Sequence, residues 1–267
     1  MEQRDAPLTV LKIGGAVLTE RTSERPLLNR RHLRRIAREI AAAYDPQRFR
    51  LVIVHGAGSF GHPIVMRTGI HNGLRTAEQR VALARTQMLQ NHLDTLVVRA
   101  LISRGIPAFP VQPSASSIAA AGRLERIDLE AARGLLHWGL VPVFYGVPTY
   151  DRIRGCSILS GDRIAPYIGV CLGASTILHG TNVRGVYTDD PHRNPRAEFI
   201  ERIDSRTIDA LEHCLKSSSA PDVTGGMHTK VRELCEAGIP AQIFDALTPG
   251  NVRRALQGEI VGTLVQP

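Results

Sequence analysis

Two apolar runs stop at glycine turns, and that pattern restricts the chain to a sheet with helices packed on it. Leu8-Thr9-Val10-Leu11-Lys12-Ile13 ends at Gly14-Gly15, and Arg50-Leu51-Val52-Ile53-Val54-His55 ends at Gly56-Ala57-Gly58. Short runs with so little polar alternation suit strands buried on both faces, as in parallel sheets covered by helices. Helical spacing alternates with them. Residues 29–44 place Leu33, Ile36, Ala37 and Ile40 on one stripe. Residues 76–104 carry Val81, Ala84, Met88, Leu93, Val97 and Leu101, and stop at Gly105 and Pro107. Further strands are expected at residues 140–145, 176–179 and 241–244, with a β-hairpin over 148–158. Helices are expected at 164–172, 205–215, 227–237 and 251–256. This alternation predicts an α/β fold with a mainly parallel sheet. Position 150 could divide two lobes, but no linker separates them, so the 267 residues read as one domain.

Lysine is nearly absent, and its placement points to chemistry. The chain has 33 Lys and Arg residues, of which only Lys12, Lys216 and Lys230 are lysine. Two of the three lie beside glycine pairs, in Lys12-Ile13-Gly14-Gly15 and Gly225-Gly226-Met227-His228-Thr229-Lys230. In a chain that uses arginine almost everywhere, a surviving lysine marks a place for a compact ammonium on a flexible stem, such as a nucleotide phosphate.

Other classes are disfavoured. No apolar run approaches the about 18 residues of a spanning helix, and Met1-Glu2-Gln3-Arg4-Asp5 lacks a signal-peptide core, so a cytoplasmic protein is expected. Cys156, Cys171, Cys214 and Cys235 lie far apart, without zinc spacing or a disulfide framework, and free, mostly buried thiols are expected. A net charge of +8 would suit nucleic acid, yet the arginines are dispersed and aromatics for stacking make up only 4%. The densest basic run, residues 30–38, reads as the solvated face of the first helix.

The segment Gly56-Ala57-Gly58-Ser59-Phe60-Gly61 fits the dinucleotide fingerprint, but the acidic residue expected about 20 positions on falls inside a helix. What remains is a glycine turn at a strand end opening onto a helix, a good anion cradle. Gly14 and Gly15 occupy an equivalent position. Two such cradles could hold two phosphorylated ligands face to face, the geometry of transfer between them. His62 follows the second cradle and could donate to a phosphoryl oxygen. Asp162, just before a helix, reads either as an N-cap or as a carboxylate that holds active-site lysines. Asp189-Asp190-Pro191 reads as a turn rather than a metal site.

Together these segments resemble the amino acid kinase superfamily, and within it the isopentenyl phosphate kinases. The matching stretches are Leu11–Thr19, His55–Pro63 with its Gly-Ser-Phe-Gly-His-Pro run, Val111–Ser114, residues 140–146, 158–166 and 181–187, Asp222–Met227 with Lys230, and 251–262. The resemblance implies an αβα sandwich around a mainly parallel central sheet, usually a homodimer. It implies a single amino acid kinase-like domain, with an acceptor-binding lobe over about residues 1–150 and a nucleotide-binding lobe over 151–267. The implied reaction converts ATP and isopentenyl phosphate to ADP and isopentenyl diphosphate, with Mg²⁺ on the ATP phosphates. By motif position, Lys12, Gly14, Gly15, Ala16, Gly58, Asn182, Gly226 and Lys230 surround ATP; Ala57, His62 and Gly161 hold the acceptor phosphate; Asp162 orients the lysines. Arg21 stands where many relatives carry a second N-terminal lysine. Ala57, Asn182, Arg163 and Val147 also depart from the pattern, replacing a glycine and three aspartates. The acceptor tail is expected against residues 81–88 and 147–158. A fosfomycin-type phosphonate antibiotic kinase, or a catalytically silent ligand-binding protein of the same fold, are the alternatives.

Overall fold

The computed structural model describes residues 6–20, 23–189, 191, 194–204, 207–208 and 226–266. In chain order the first half comprises β1 (Leu8–Ile13), α1 (Gly15–Leu18), α2 (Arg30–Ala43), β2 (Arg50–His55), α3 (His62–Thr68), α4 (Ala77–Ile102), β3 (Ala108–Pro110), β4 (Ser117–Ala120), β5 (Arg123–Ile127), α5 (Glu130–His137) and β6 (Val141–Tyr145). Then follow β7 (Val147–Asp151), β8 (Gly155–Leu159), α6 (Gly161–Leu172), β9 (Ala174–Thr181), β10 (Val186–Tyr187), β11 (Phe199–Ile200), β12 (Arg202–Ile203), α7 (Gly226–Ala237), β13 (Ala241–Asp245), α8 (Asn251–Leu256) and β14 (Thr263–Val265).

β1 runs through the middle of an eight-stranded sheet ordered β12-β14-β13-β9-β1-β2-β6-β3. Every neighbouring pair is parallel except β13 and β14. The chain adds β2, β6 and β3 on one side of β1 and later adds β9 and β13 on the other. That reversal opens a crevice at the carboxyl ends of β2, β1 and β9, where open α/β sheets bind ligands.

Alternation along β1 decides which helical layer each residue meets. Leu11 and Ile13 join Ile53 against Leu33, Ile36 and Ile40 of α2 and Leu93, Val97 and Leu101 of α4. Leu8 and Val10 join Val52, Val54 and Ile177 against Ile164 and Ile168 of α6 and Val231 and Leu234 of α7. The result is an αβα sandwich with an apolar core on each face of the sheet. Lys12 is two residues beyond Val10 and therefore faces α6; across the β1–β9 pair it sits in register with His179, two residues beyond Ile177. The sheet face that packs against α6 thus ends in a lysine and a histidine.

Strands β1, β2, β6, β9 and β13 and helices α2, α4, α6, α7 and α8 fall where the sequence places them, within a few residues. The expected hairpin is β7–β8, antiparallel from Val147↔Leu159 to Asp151↔Gly155. Asp151 is fully buried at its tip. Its carboxylate accepts from the amides of Ala121, Gly122, Ile153 and Arg154 and from Ser157 Oγ at 2.5–3.1 Å. The expected helix over residues 205–215 lies almost wholly outside the described residues, as does Arg21; only Thr207 and Ile208 of that helix are described, and both are helical.

α4 corrects one expectation. Its capping box, Thr76 with Gln79, forms as an S/T-x-x-Q start should. Only the second half of the stripe chosen from apolar spacing faces inward: Leu93, Val97 and Leu101 are buried, whereas Val81 is 69% and Met88 59% exposed. The buried stripe is Ala82, Thr86, Gln90, Leu93, Asp94, Val97 and Leu101. Residues 81–88 therefore offer Ala82 and Thr86 to the interior, whereas Val81 and Met88 lie on the solvent side of the helix. Counting apolar spacing misses the polar members of the buried stripe, Thr86, Gln90 and Asp94.

Candidate active site

The carboxyl end of β1 brings the first lysine and the first glycine turn to the centre of the crevice. Gly14 N–H donates to the Gly180 carbonyl at 2.8 Å and Gly56 N–H to the Ile13 carbonyl at 2.9 Å, so both glycine turns are anchored to the strand ends beside them. The turns also touch each other. A Cβ on Gly15 would overlap the Gly58 amide nitrogen, and a Cβ on Gly56 would overlap the Gly15 nitrogen. Gly58 takes φ +51°, a left-handed conformation that costs glycine little. Thr19 ties the pair from beneath: its hydroxyl donates to the Gly15 carbonyl at 2.9 Å and accepts from Ser59 N–H at 3.0 Å. The two cradles expected from the sequence are one continuous main-chain surface.

The head of α6 meets this surface. Its N-cap is Ser160, without a side-chain cap bond, and Gly161 and Asp162 form its first turn. Asp162 is therefore not the cap. Its Oδ1 lies 2.5 Å from Lys12 Nζ, and its Oδ2 accepts from Lys230 Nζ of α7 at 2.9 Å. His179 Nε2 lies 2.9 Å from Oδ1. One carboxylate thus draws together two lysines that are 218 residues apart, as the difference between 230 and 12 shows. The helix dipole favours the negative charge there. Gly161 is closely packed: a Cβ there would lie 3.3 Å from the His55 carbonyl and 3.4 Å from Val54 Cγ1.

Burial alone would raise the Asp162 pKa, but Lys12 and then Lys230 outweigh it and hold the carboxyl well below the usual range. His179 is completely buried, and burial, reinforced by Lys12 and Lys230, pushes its pKa down to about 3. The imidazole is therefore neutral at working pH. The cluster consists of one carboxylate, two ammonium groups and a neutral ring, so it keeps a net positive charge facing the crevice.

This arrangement gives a stability prediction. An unfolded histidine takes up its proton near pH 6.5, whereas His179 resists until about 3. Its contribution is complete above about pH 6.5 and is lost as pH falls below that value, by roughly 2 kcal/mol at pH 5. Relative to His179→Gln, the wild-type unfolding free energy in urea is expected to decline over this window. A constant difference between pH 7.5 and 5 would contradict it.

His62 begins α3, and its Nδ1 lies 3.0 Å from the Gly58 carbonyl. A carbonyl only accepts, so Nδ1 carries a proton, and the ring is fixed beside the turn with Nε2 as its remaining contact. Ala57 occupies the same turn as Gly58. Asn182 follows the end of β9, where Thr181 Oγ1 donates to its Oδ1 at 3.3 Å. Gly226 opens α7 with φ +65°, one turn before Lys230. Arg163 points elsewhere: its guanidinium meets Glu233 of α7 at 3.1 Å and the Gly122 carbonyl at 2.7 Å, linking α6 to α7 and the hairpin sheet. Lys12, Asp162 and Lys230 are in direct contact, and His62, Ala57, Gly58, Gly14, Gly15 and Ala16 belong to the joined turns.

Comparison with known proteins agrees with this geometry. The model of the amino acid kinase family matches residues 7–245. The chain belongs to the amino acid kinase family. It is 41% identical to isopentenyl phosphate kinase of Methanothermobacter thermautotrophicus, covering 95% of this chain and 97% of that one. Against isopentenyl phosphate kinase of Methanocaldococcus jannaschii the identity is 32%, over 96% of this chain and 97% of that one. A crystal structure of an isopentenyl phosphate kinase superposes with a TM-score of 0.85 at 37% identity, over 97% of this chain and all of the other.

Sequence reasoning missed Thr19 and His179. Thr19 carries no signal beyond its place four residues after a glycine pair. His179 could have been found from parity, since Ile177-x-His179 repeats Val10-x-Lys12 on the adjacent strand.

Proposed function

We propose that this protein transfers the γ-phosphoryl group of ATP to isopentenyl phosphate, giving ADP and isopentenyl diphosphate. The observation that carries the reading is the pairing of Lys12 and Lys230 on Asp162 beside two fused glycine turns, one of which holds His62. A kinase with a neutral acceptor needs a base, but a phosphate monoester, with a second pKa of about 6, arrives largely as a dianion. Its oxygen attacks Pγ, the bond from Pγ to the bridging oxygen of ADP breaks, and ADP departs with that electron pair. The obstacle is the repulsion of two polyanions and the charge on the transferring group.

The residues answer that obstacle. Lys12, Gly14, Gly15, Ala16, Gly58, Asn182, Gly226 and Lys230 surround ATP in this reading, with the two ammonium groups on the phosphates. Ala57, His62 and Gly161 hold the acceptor phosphate, His62 by donating Nε2–H from its doubly protonated imidazolium form, because Nδ1–H is committed to the Gly58 carbonyl. Asp162 spaces the lysines and keeps them from collapsing onto either substrate alone. Arg21 lies outside the described residues, and its charge fits the same role on the nucleotide side. Among the described residues no three His, Cys, Asp or Glu side chains converge as a metal site, and Asp162 is already engaged by two lysines. That donor set fits an Mg²⁺ ion held chiefly by the ATP phosphate oxygens, where it would neutralise their charge. A single domain, with residues 1–150 mainly on the acceptor side and 151–267 mainly on the nucleotide side, a homodimeric assembly and a cytoplasmic location complete the proposal.

Turnover of isopentenyl phosphate followed by phosphorus NMR tests the reading; no diphosphate product at millimolar acceptor would reject it. Fosfomycin offered in competition separates the antibiotic-kinase alternative. Replacing His62 with Ala is expected to lower kcat/KM for the acceptor at least about 10²-fold, the effect of losing one donor to developing charge. An unchanged value would remove His62 from the mechanism.

A further inference from the structure

We infer that Gln90 is an acceptor-binding residue, its carboxamide nitrogen donating to the phosphate held by the Ala57–His62 turn. The inference rests on the acceptor site proposed above and adds to it a contact from α4, an element that the glycine and lysine motifs do not include.

Gln90 lies mid-way along α4 on the buried stripe and is 2% exposed. Its side chain is aimed at the turn: a Cβ built on Gly61 would lie 2.5 Å from Gln90 Nε2 and 2.9 Å from Ala57 Cβ. Gly61 is thus bare where the amide approaches, and the amide nitrogen reaches the main chain between Ala57 and His62. At the other end of the carboxamide, Oε1 is buried without a hydrogen-bond partner among the described residues. A buried orphan carbonyl is costly, and leucine or methionine would fill the same volume without that penalty. Positions that break a local rule in this way concentrate at functional sites. Placing the nitrogen end at an anion-binding turn is the gain that offsets the orphan oxygen.

The contact differs in kind from the others in the site. His62 and the lysines bring positive charge, which any anion satisfies. A neutral amide on a rigid 26-residue helix supplies direction. It fixes one oxygen of the acceptor phosphate and leaves another free to point at Pγ, an orienting role. Neighbouring groups keep the helix in place: His55 Nε2 lies 3.2 Å from Asp94 Oδ1, and Tyr145 Oη donates to Asn91 Oδ1 at 2.7 Å.

Two substitutions test the contact. Gln90→Met keeps the volume and removes the donor; the KM for isopentenyl phosphate is expected to rise about 10- to 100-fold, with the KM for ATP and the melting temperature nearly unchanged. Gln90→Glu keeps the shape but sets a carboxylate against the phosphate, so its acceptor affinity should fall further than that of the methionine variant and partly recover at lower pH. Calorimetry with isopentenyl phosphate, and separately with inorganic phosphate, reads the same contact without turnover. Acceptor binding equal to wild type in both variants would overturn the assignment while leaving the kinase reading intact. Equal rises in both KM values would also overturn it, as a purely structural role. A wild-type enzyme that binds isopentenyl phosphate without phosphorylating it would defeat the kinase reading but not the Gln90 contact.

Discussion

Asp162→Asn is expected to fold, to bind ATP, and to lose about 10³-fold in kcat. The carboxylate touches both lysines and His179 within 2.9 Å, so it sets the separation of the two ammonium groups. Removing its charge has two consequences. The lysines repel each other with nothing between them, and each gains freedom to collapse onto the nearest phosphate oxygen. The asparagine amide also turns an NH2 toward one of the two ammonium groups and can accept only from the other. Ground-state binding survives, because the free lysines still attract ATP. What is lost is the placement of positive charge around Pγ when charge spreads to its equatorial oxygens. A misplacement of about 1 Å costs on the order of 10²-fold, and the removal of one preorganised donor costs 10²–10³-fold. The two losses overlap, so about 10³ is the expected total, roughly 4 kcal/mol of transition-state stabilisation. The measurement is steady-state kcat beside the dissociation constant for ATP. If kcat fell less than tenfold, Asp162 would be a helix-end residue and nothing more.

Why the sequence revealed so much of this site follows from where the information sits. Gly58 is glycine for a local reason, its left-handed backbone, and the glycine turns at 14–15 and 56–58 end apolar runs, so they remain legible without coordinates. Lys12 and Lys230 are conspicuous against an arginine-rich background. The contact between the two glycine turns is less legible, since it depends on β1 and β2 being neighbours in the sheet. The alternation of strands and helices only made that pairing expected. Asp162 was ambiguous between cap and ligand, and the ambiguity is resolved by Ser160, which takes the cap position. The first half of the inward stripe of α4 was misread because polar side chains, Thr86, Gln90 and Asp94, are buried there while Val81 and Met88 are not. His179 was hidden for the opposite reason. A single polar residue in an apolar strand looks like part of the core until its register with Lys12 is known.

Lys12 yields the other large effect, and the substitution that matters most is the conservative one. Lys12→Met should reduce kcat by about 10²–10⁴-fold, since it removes both a cation at the transferring group and a partner of Asp162. Lys12→Arg restores the formal charge and is nonetheless expected to recover less than about a tenth of the lost rate. Lys12 is 5% exposed, and its ammonium sits 2.5 Å from Asp162 Oδ1 in register with the fully buried His179. A planar guanidinium is wider than an ammonium, and in that space its fork would lie against Asp162 in a bidentate pair. Its charge would then be spent on the carboxylate rather than shared with a phosphate. This is also the physical reason that a chain with 33 basic residues and only three lysines keeps one here. Arginine serves wherever a charged surface or a fixed fork suffices, whereas in the proposed reaction the end of β1 would need a point charge that Asp162 and the nucleotide could share. Stopped-flow measurement of the phosphoryl-transfer step in both variants tests the argument. An arginine enzyme working at more than a tenth of the wild-type rate would show that charge alone is required, and the rarity of lysine would then carry no functional meaning.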